Sequence, residues 1–162
     1  VDTNYFEVDT DVPNDPLKWA PHNGLKVVEH RTMGSVPFEL ERVQLYLTPA
    51  QQADQWISGH ELRKLLQKEP LLNANFLDAW LWFLGKTENK KQLEFLFPDR
   101  FCNDQNGWHV YTFFWGTVYE NEEGRLFVRY VCKAGETQGV TSGLVCLDEP
   151  HFRVNCPAAI YI

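Results

Sequence analysis

The side chains able to do chemistry in this chain are scattered along it. Cys102, Cys132, Cys146 and Cys156 lie far apart with no C-x-x-C pair, which speaks against a structural zinc site. They read as buried thiols of a reducing, cytoplasmic compartment, with one or two disulfides in an exported or cell-surface protein as the alternative. His60-Glu61 has no second histidine one turn on, so the zinc-helix pattern H-E-x-x-H is absent, and the spacing from Ser58 to Glu61 matches a helix capping box instead. His109 and His151 are distant in sequence, and nothing in their spacing supports a nucleophilic site with Asp148 or a cysteine. Glu120, Glu122 and Glu123 sit in a charged loop, where acids are ordinarily solvated. No G-x-S-x-G elbow, phosphate-cradling G-x-x-x-x-G-K or G-x-G-x-x-G is present. The expectation is a non-enzyme with no metal or cofactor.

Binding is better served than catalysis. Ala134–Gly143, AGETQGVTSG, is small and polar and cannot build core, so it is expected as a surface loop or an irregular exposed strand. After a short apolar strand at Leu144–Leu147 comes His151-Phe152-Arg153, which sets an aromatic ring and a cation on a surface of small residues. Aromatic and arginine side chains are the usual anchors of binding patches.

The elements that must hold this region are dominated by Tyr111–Lys133. Tyr111, Phe113, Trp115, Thr117 and Tyr119 alternate with Thr112, Phe114, Gly116 and Val118, a strand apolar on both sides and therefore covered on both. Glu120–Gly124 reads as a hairpin loop into a second run. There Leu126, Val128, Tyr130 and Cys132 alternate with Arg125, Phe127, Arg129 and Lys133, the latter expected on a wet face. Upstream, Leu25–Arg31 and Leu40–Leu47 read as two strands that could pair through Gly34–Pro37. Thr48-Pro49 opens a short helix to about Trp56, Ser58 opens a second, and Asn73 caps a third that runs to Leu84 and closes at Gly85. Leu77, Trp80, Leu81 and Leu84 give the third its stripe. A short fourth helix over 88–97, a polar loop at Arg100–His109 and a closing strand at Ala158–Ile162 complete the reading.

At 162 residues and 14% aromatic content the chain is expected to form one domain with a large core. Its net charge of -7 and pI near 5.2 argue against nucleic acid and anionic membranes as partners, and no apolar run is long enough to span a bilayer. The start at Val1 is that of a trimmed or partial chain, so a removed leader stays open. Residues 1–24 hold five acids against one base and three prolines, and they read as an acidic extended arm that Tyr5, Phe6 and Trp19 could pin to the domain or to a neighbouring subunit.

Four runs in order, GHELRKLL at 59–66, PLLNANFLDAWL at 70–81, FFWGTVYENEEGRLFVRYV at 113–131 and LDEPHFRVNCPAA at 147–159, resemble a family of small uncharacterised proteins from uncultured bacteria. Asn73, Asn75, Leu77 and Asp78 match its L-N-A-N-x-L-D helix. Phe114, Trp115, Gly116, Thr117 and Tyr119 match its F-F-W-G-T-x-Y strand, and Leu147, Asp148, Pro157, Ala158 and Ala159 its closing motif. Between strand and closing motif that family carries a Trp-, Asn-, Asp- and Tyr-rich stretch similar to the variable region of target proteins of diversity-generating retroelements, in which adenine positions of codons are mutagenised. This chain departs there, with Thr, Ser, Gly and Gln across Lys133–Cys146. The resemblance implies a C-type-lectin-like scaffold.

The expectation is thus an α+β fold, a mixed and largely antiparallel sheet with two or three packed helices over 25–162. Its function would be non-catalytic binding of a protein or other macromolecular ligand, with the oligomeric state open. Thr137, Gln138, Thr141, Ser142, Glu149, His151, Phe152 and Arg153 would form the contact surface. An adaptor using the acidic arm, and an enzyme using Cys132, Cys146 or Cys156, are the alternatives.

Overall fold

The computed structural model of the chain describes residues 6–86, 97–98, 101, 110–133, 139–149 and 152–162. The expected helix at 88–97 and loop at 100–109 lie almost wholly outside them, as do residues 134–138. The described elements run β1 Glu7–Asp9, β2 Lys26–His30, β3 Ser35–Pro37, β4 Val43–Tyr46, α1 Pro49–Gln52, α2 Gly59–Leu65 and α3 Ala74–Leu84. Then follow β5 Thr112–Phe113, β6 Thr117–Glu120, β7 Leu126–Lys133, β8 Val140–Cys146 and β9 Ala158–Tyr161.

The fold is α+β, with a curled, mixed seven-stranded sheet and a separate β1–β3 ribbon. Strand β7 is its centre. Phe127 is paired with Tyr119 of β6 and with Cys146 of β8, and Tyr130 with Phe113 of β5 and Gly143 of β8. One edge of β7 therefore carries β8 over its whole length, and the other carries β6 and then β5. Beyond β6 lies β2, while β5 joins β9 in parallel and β9 joins β4. Strands β2 and β4, expected to pair with one another, sit at opposite ends of the sheet. Their alternation was compatible with many partners, and the connection through Gly34–Pro37 contributes β3 to the ribbon with β1 instead.

The first half of the expected hairpin is not one strand. Residues Phe114–Gly116 leave the ladder, so that the β5–β7 and β6–β7 registers differ by three residues. The cause is a neighbouring backbone: Gly116 N–H donates to Leu72 O at 2.9 Å, and Arg31 N–H to Gly116 O at 2.7 Å. The break reverses the facing: Phe113, paired with Tyr130, is on the α2 side, whereas Tyr119, paired with Phe127, turns its hydroxyl to Asn14 on the α3 side. Phe113 and Trp115 pack with Leu62 and Leu66 from α2 and its end, whereas Phe114 packs with Trp80 of α3. Both faces are covered, as the two-sided apolar pattern demands.

The helix starts follow their caps. Thr48 and Gln51 form a reciprocal capping box on α1, Ser58 Oγ accepts from Glu61 N–H at 3.2 Å on α2, and Asn73 Oδ1 accepts from Asn75 N–H at 3.0 Å on α3. Helix α1 stops at Gln52, short of Trp56, because Asp54 turns into the left-handed region at φ 53°.

The N-terminal segment is part of the fold and not an extended arm. Phe6 stacks on Phe38 with centroids 4.5 Å apart, Val8 and Thr10 are buried, and Asn14 is 6% exposed. Asn14 Nδ2 donates to Asn75 Oδ1 and Asp78 Oδ2, both at 3.0 Å. Its Oδ1 accepts from Trp19 Nε1 at 3.1 Å and from Tyr119 Oη at 2.6 Å. Behind it, Thr117 Oγ1 accepts from Ala74 N–H and lies 2.9 Å from His30 Nδ1, while His30 Nε2 faces the carbonyl oxygens of Thr10 and Val12 at 3.0 and 3.1 Å. The segment also covers the face expected to be wet. Arg129 is 3% exposed, with its guanidinium 4.1 Å from the Trp19 ring centroid and Nη1 3.1 Å from Asp78 Oδ1.

Candidate ligand-binding cleft

On the α2 side of the sheet, the segment after β8 folds back over the hairpin and leaves a cleft of about 450 Å³. Its inner wall is Tyr111, Phe113 and Tyr130. Its outer wall is Leu144, Val145 and Cys146 of β8, then Glu149, Phe152, Asn155 and Cys156. Two features fix this shape. Tyr111 N–H donates to Asn155 O at 2.9 Å, tying the returning segment to β5. Tyr130 leans across its strand partner Gly143, where any Cβ would overlap the phenol. The rings interlock, with Tyr111 and Tyr130 edge to face at 5.2 Å, Phe113 and Tyr130 at 5.3 Å, and Phe113 and Phe152 at 5.2 Å.

Burial disfavours the charged forms of the phenols and thiols at the cleft. The Tyr111 and Tyr130 phenols are pushed up, first by burial and then by the neighbouring thiols. Burial likewise raises Cys132 and Cys146, and it drives Cys156 up to about 11. All three are thiols, not disulfides. A nucleophilic cysteine needs the opposite shift, so this environment suits packing and weak hydrogen bonding and gives no activated thiolate. Cys102 lies outside the described residues. Among the described residues no three His, Cys, Asp or Glu side chains are grouped to hold a metal ion, and no helix is long and apolar enough to cross a membrane.

The expected contact residues are distributed unevenly. Thr137, Gln138 and His151 lie outside the described residues. Thr141 and Ser142 are both exposed on β8, but adjacent strand residues face opposite ways. Thr141 pairs with Cys132 and faces the cleft side; Ser142 pairs with Val131 and faces the α3 side. There it borders a second hollow of about 350 Å³ beside Trp19–Asn23 and Arg129. Glu149 is exposed on the cleft wall.

One expected anchor is corrected and a second is found in an ion pair. Phe152 is 1% exposed and packs on Phe113 and Trp115, because an apolar ring between two polar segments is drawn into the core once the segment folds back. Arg153 is engaged by the turn after α1. Its Nε and Nη2 donate to Asp54 Oδ1 and Oδ2 at 3.0 and 2.6 Å, which holds the Asp54 carboxyl below its ordinary value. Its guanidinium also lies 4.7 Å from the Trp56 ring centroid. Tyr111, Tyr130, Asn155 and Cys156 were not anticipated as cleft residues. A signal existed for the tyrosines, since each lies on the apolar side of its own alternating run.

At the far end of β8, Gly59 N–H donates to Leu147 O at 2.9 Å and His60 Nε2 lies 2.6 Å from Asp148 Oδ1, so α2 clamps the turn. The His60 contact lowers the Asp148 carboxyl. Comparison of the chain with protein-family models, curated proteins and solved structures gives no match.

Proposed function

We propose that this chain is a non-catalytic ligand-binding protein with a C-type-lectin-like architecture, a member of the target proteins of diversity-generating retroelements. One observation carries the reading. The stretch corresponding to the variable region, 133–156, supplies the outer wall of the cleft, lined by Leu144–Cys146, Glu149, Phe152, Asn155 and Cys156. A strand at the edge of β7, followed by a segment with no helix or strand among its described residues, is an arrangement in which exposed side chains can change while the sheet keeps its pairing. The raised thiols support the non-catalytic half of the reading.

The test lies in the encoding DNA. A reverse-transcriptase gene nearby, with a near-copy of the codons for 133–156 that differs at adenines, is the expected finding. Absence of such a template, together with no variation at those positions among close copies of the gene, would remove the retroelement reading.

A further inference from the structure

We infer that the cleft receives an organic cation, a trimethylammonium group or one of similar size; this rests on the reading of the cleft as a ligand site. Its open ring surface is that of the half-buried Tyr111 and Tyr130, set over Phe113 and Phe152, which are 2% and 1% exposed. Ring faces carry the negative side of the aromatic quadrupole and attract a cation that sheds water easily. The charged groups agree. Glu149 is the acid on the wall, and no Lys, Arg or His lines the cleft among the described residues. Arg153, the cation nearest in sequence to Phe152, is turned to Asp54 by two hydrogen bonds. The thiols and phenols are polarizable neutral groups, and the chain's net charge of -7 adds a field that draws cations and repels anions. A cavity of about 450 Å³ has room for the head group and part of what bears it.

Three molecules of nearly one shape separate charge from hydrophobic fit: choline, neutral 3,3-dimethylbutan-1-ol and anionic 3,3-dimethylbutyrate. They are titrated into the full chain, with binding followed by calorimetry and by chemical shifts of Val145 and Tyr130. Choline is expected to bind about tenfold more tightly than the alcohol, with the butyrate weakest. Glu149→Gln, at an exposed position, is expected to keep the melting temperature and weaken choline about threefold or more. Tyr111→Leu should weaken choline more than the alcohol. A trimethyllysine peptide bound much more tightly than choline assigns the cation to a protein partner; equal binding assigns it to a free small molecule. Equal or tighter binding of the alcohol overturns the cation proposal while leaving a ligand cleft. No binding of any of the three overturns the proposal as well, and a broad fragment set that also fails to shift cleft resonances overturns the underlying reading.

Discussion

Gly116 is a glycine for want of space and not for its backbone angles. A Cβ there would stand 2.7 Å from Asn73 N and from the Leu72 carbonyl, both backbone and unable to yield. Gly116→Ala should therefore destabilise the chain by about 1–3 kcal/mol in urea unfolding, with the β5–β6 break as the part that moves. Arg129 and Asp78 make a second test. Asp78→Ala strands a buried guanidinium, whereas Arg129→Met replaces it with an apolar chain of similar length; the first should be the more damaging, by about 1–2 kcal/mol after allowance for the half-exposed Asp78. Cys156 gives a pH signature. Its folded value of about 11 stands above the unfolded value of 9.0, so the stabilisation is complete below pH 9 and is lost as pH rises towards 11. Chemical denaturation across that window should show a decline of about 2 kcal/mol that is absent in Cys156→Ala. None of these three was readable from residue type alone. Arg129 shares a face with Arg125 and Lys133 as a solvated arginine would, and only the return of Trp19 over it makes it buried.

At the level of elements, the signals that are local in sequence were legible. The caps at Thr48, Ser58 and Asn73 and the stripe of α3 rest on contacts within one turn, and all are in place. What failed was long-range. The strand break at Phe114–Gly116 is imposed by Leu72, more than forty residues away in the chain, and no count of alternating side chains can reveal it. The N-terminal segment misled for a related reason: its acids and prolines look like a solvated arm, yet it is fixed through Thr10, Val12 and Asn14, whose partners Asn73, Asn75 and Asp78 belong to the α3 motif, while Trp19, one of the expected pins, is held by Asn14. That motif is thus explained as a latch. Asn14→Ala, which leaves four side chains without their shared partner, is expected to lower stability by about 2–4 kcal/mol. Deletion of residues 1–24 should abolish cooperative unfolding, as read by near-ultraviolet circular dichroism, so it cannot serve to separate an adaptor role from folding.

For the molecule as a whole, the proposed display role requires that the chain tolerate change where it would display. Substitutions at Thr141, Ser142 and Glu149 are expected to shift stability by no more than about 0.5 kcal/mol, while Phe152→Ala, a few residues on, should lose about 3–5 kcal/mol. A melting-temperature scan of single variants over 139–156 checks both. Exposure was legible at Thr141, Ser142 and Glu149, but of these only Glu149 lines the cleft. Its walls were not, because they form where the segment after β8 returns to β5. The burial pattern of this segment also has a genetic side. Its exposed residues Thr141, Ser142, Asp148 and Glu149 are types whose codons carry, or in the case of serine can carry, adenine at a position that changes the amino acid. In the standard code the codons of Phe and Cys contain no adenine, and those of Gly and Val contain it only where it is silent. A mutagen confined to adenines would thus rewrite the rim while remaining blind to Phe152, Cys156 and the Gly143 that makes room for Tyr130.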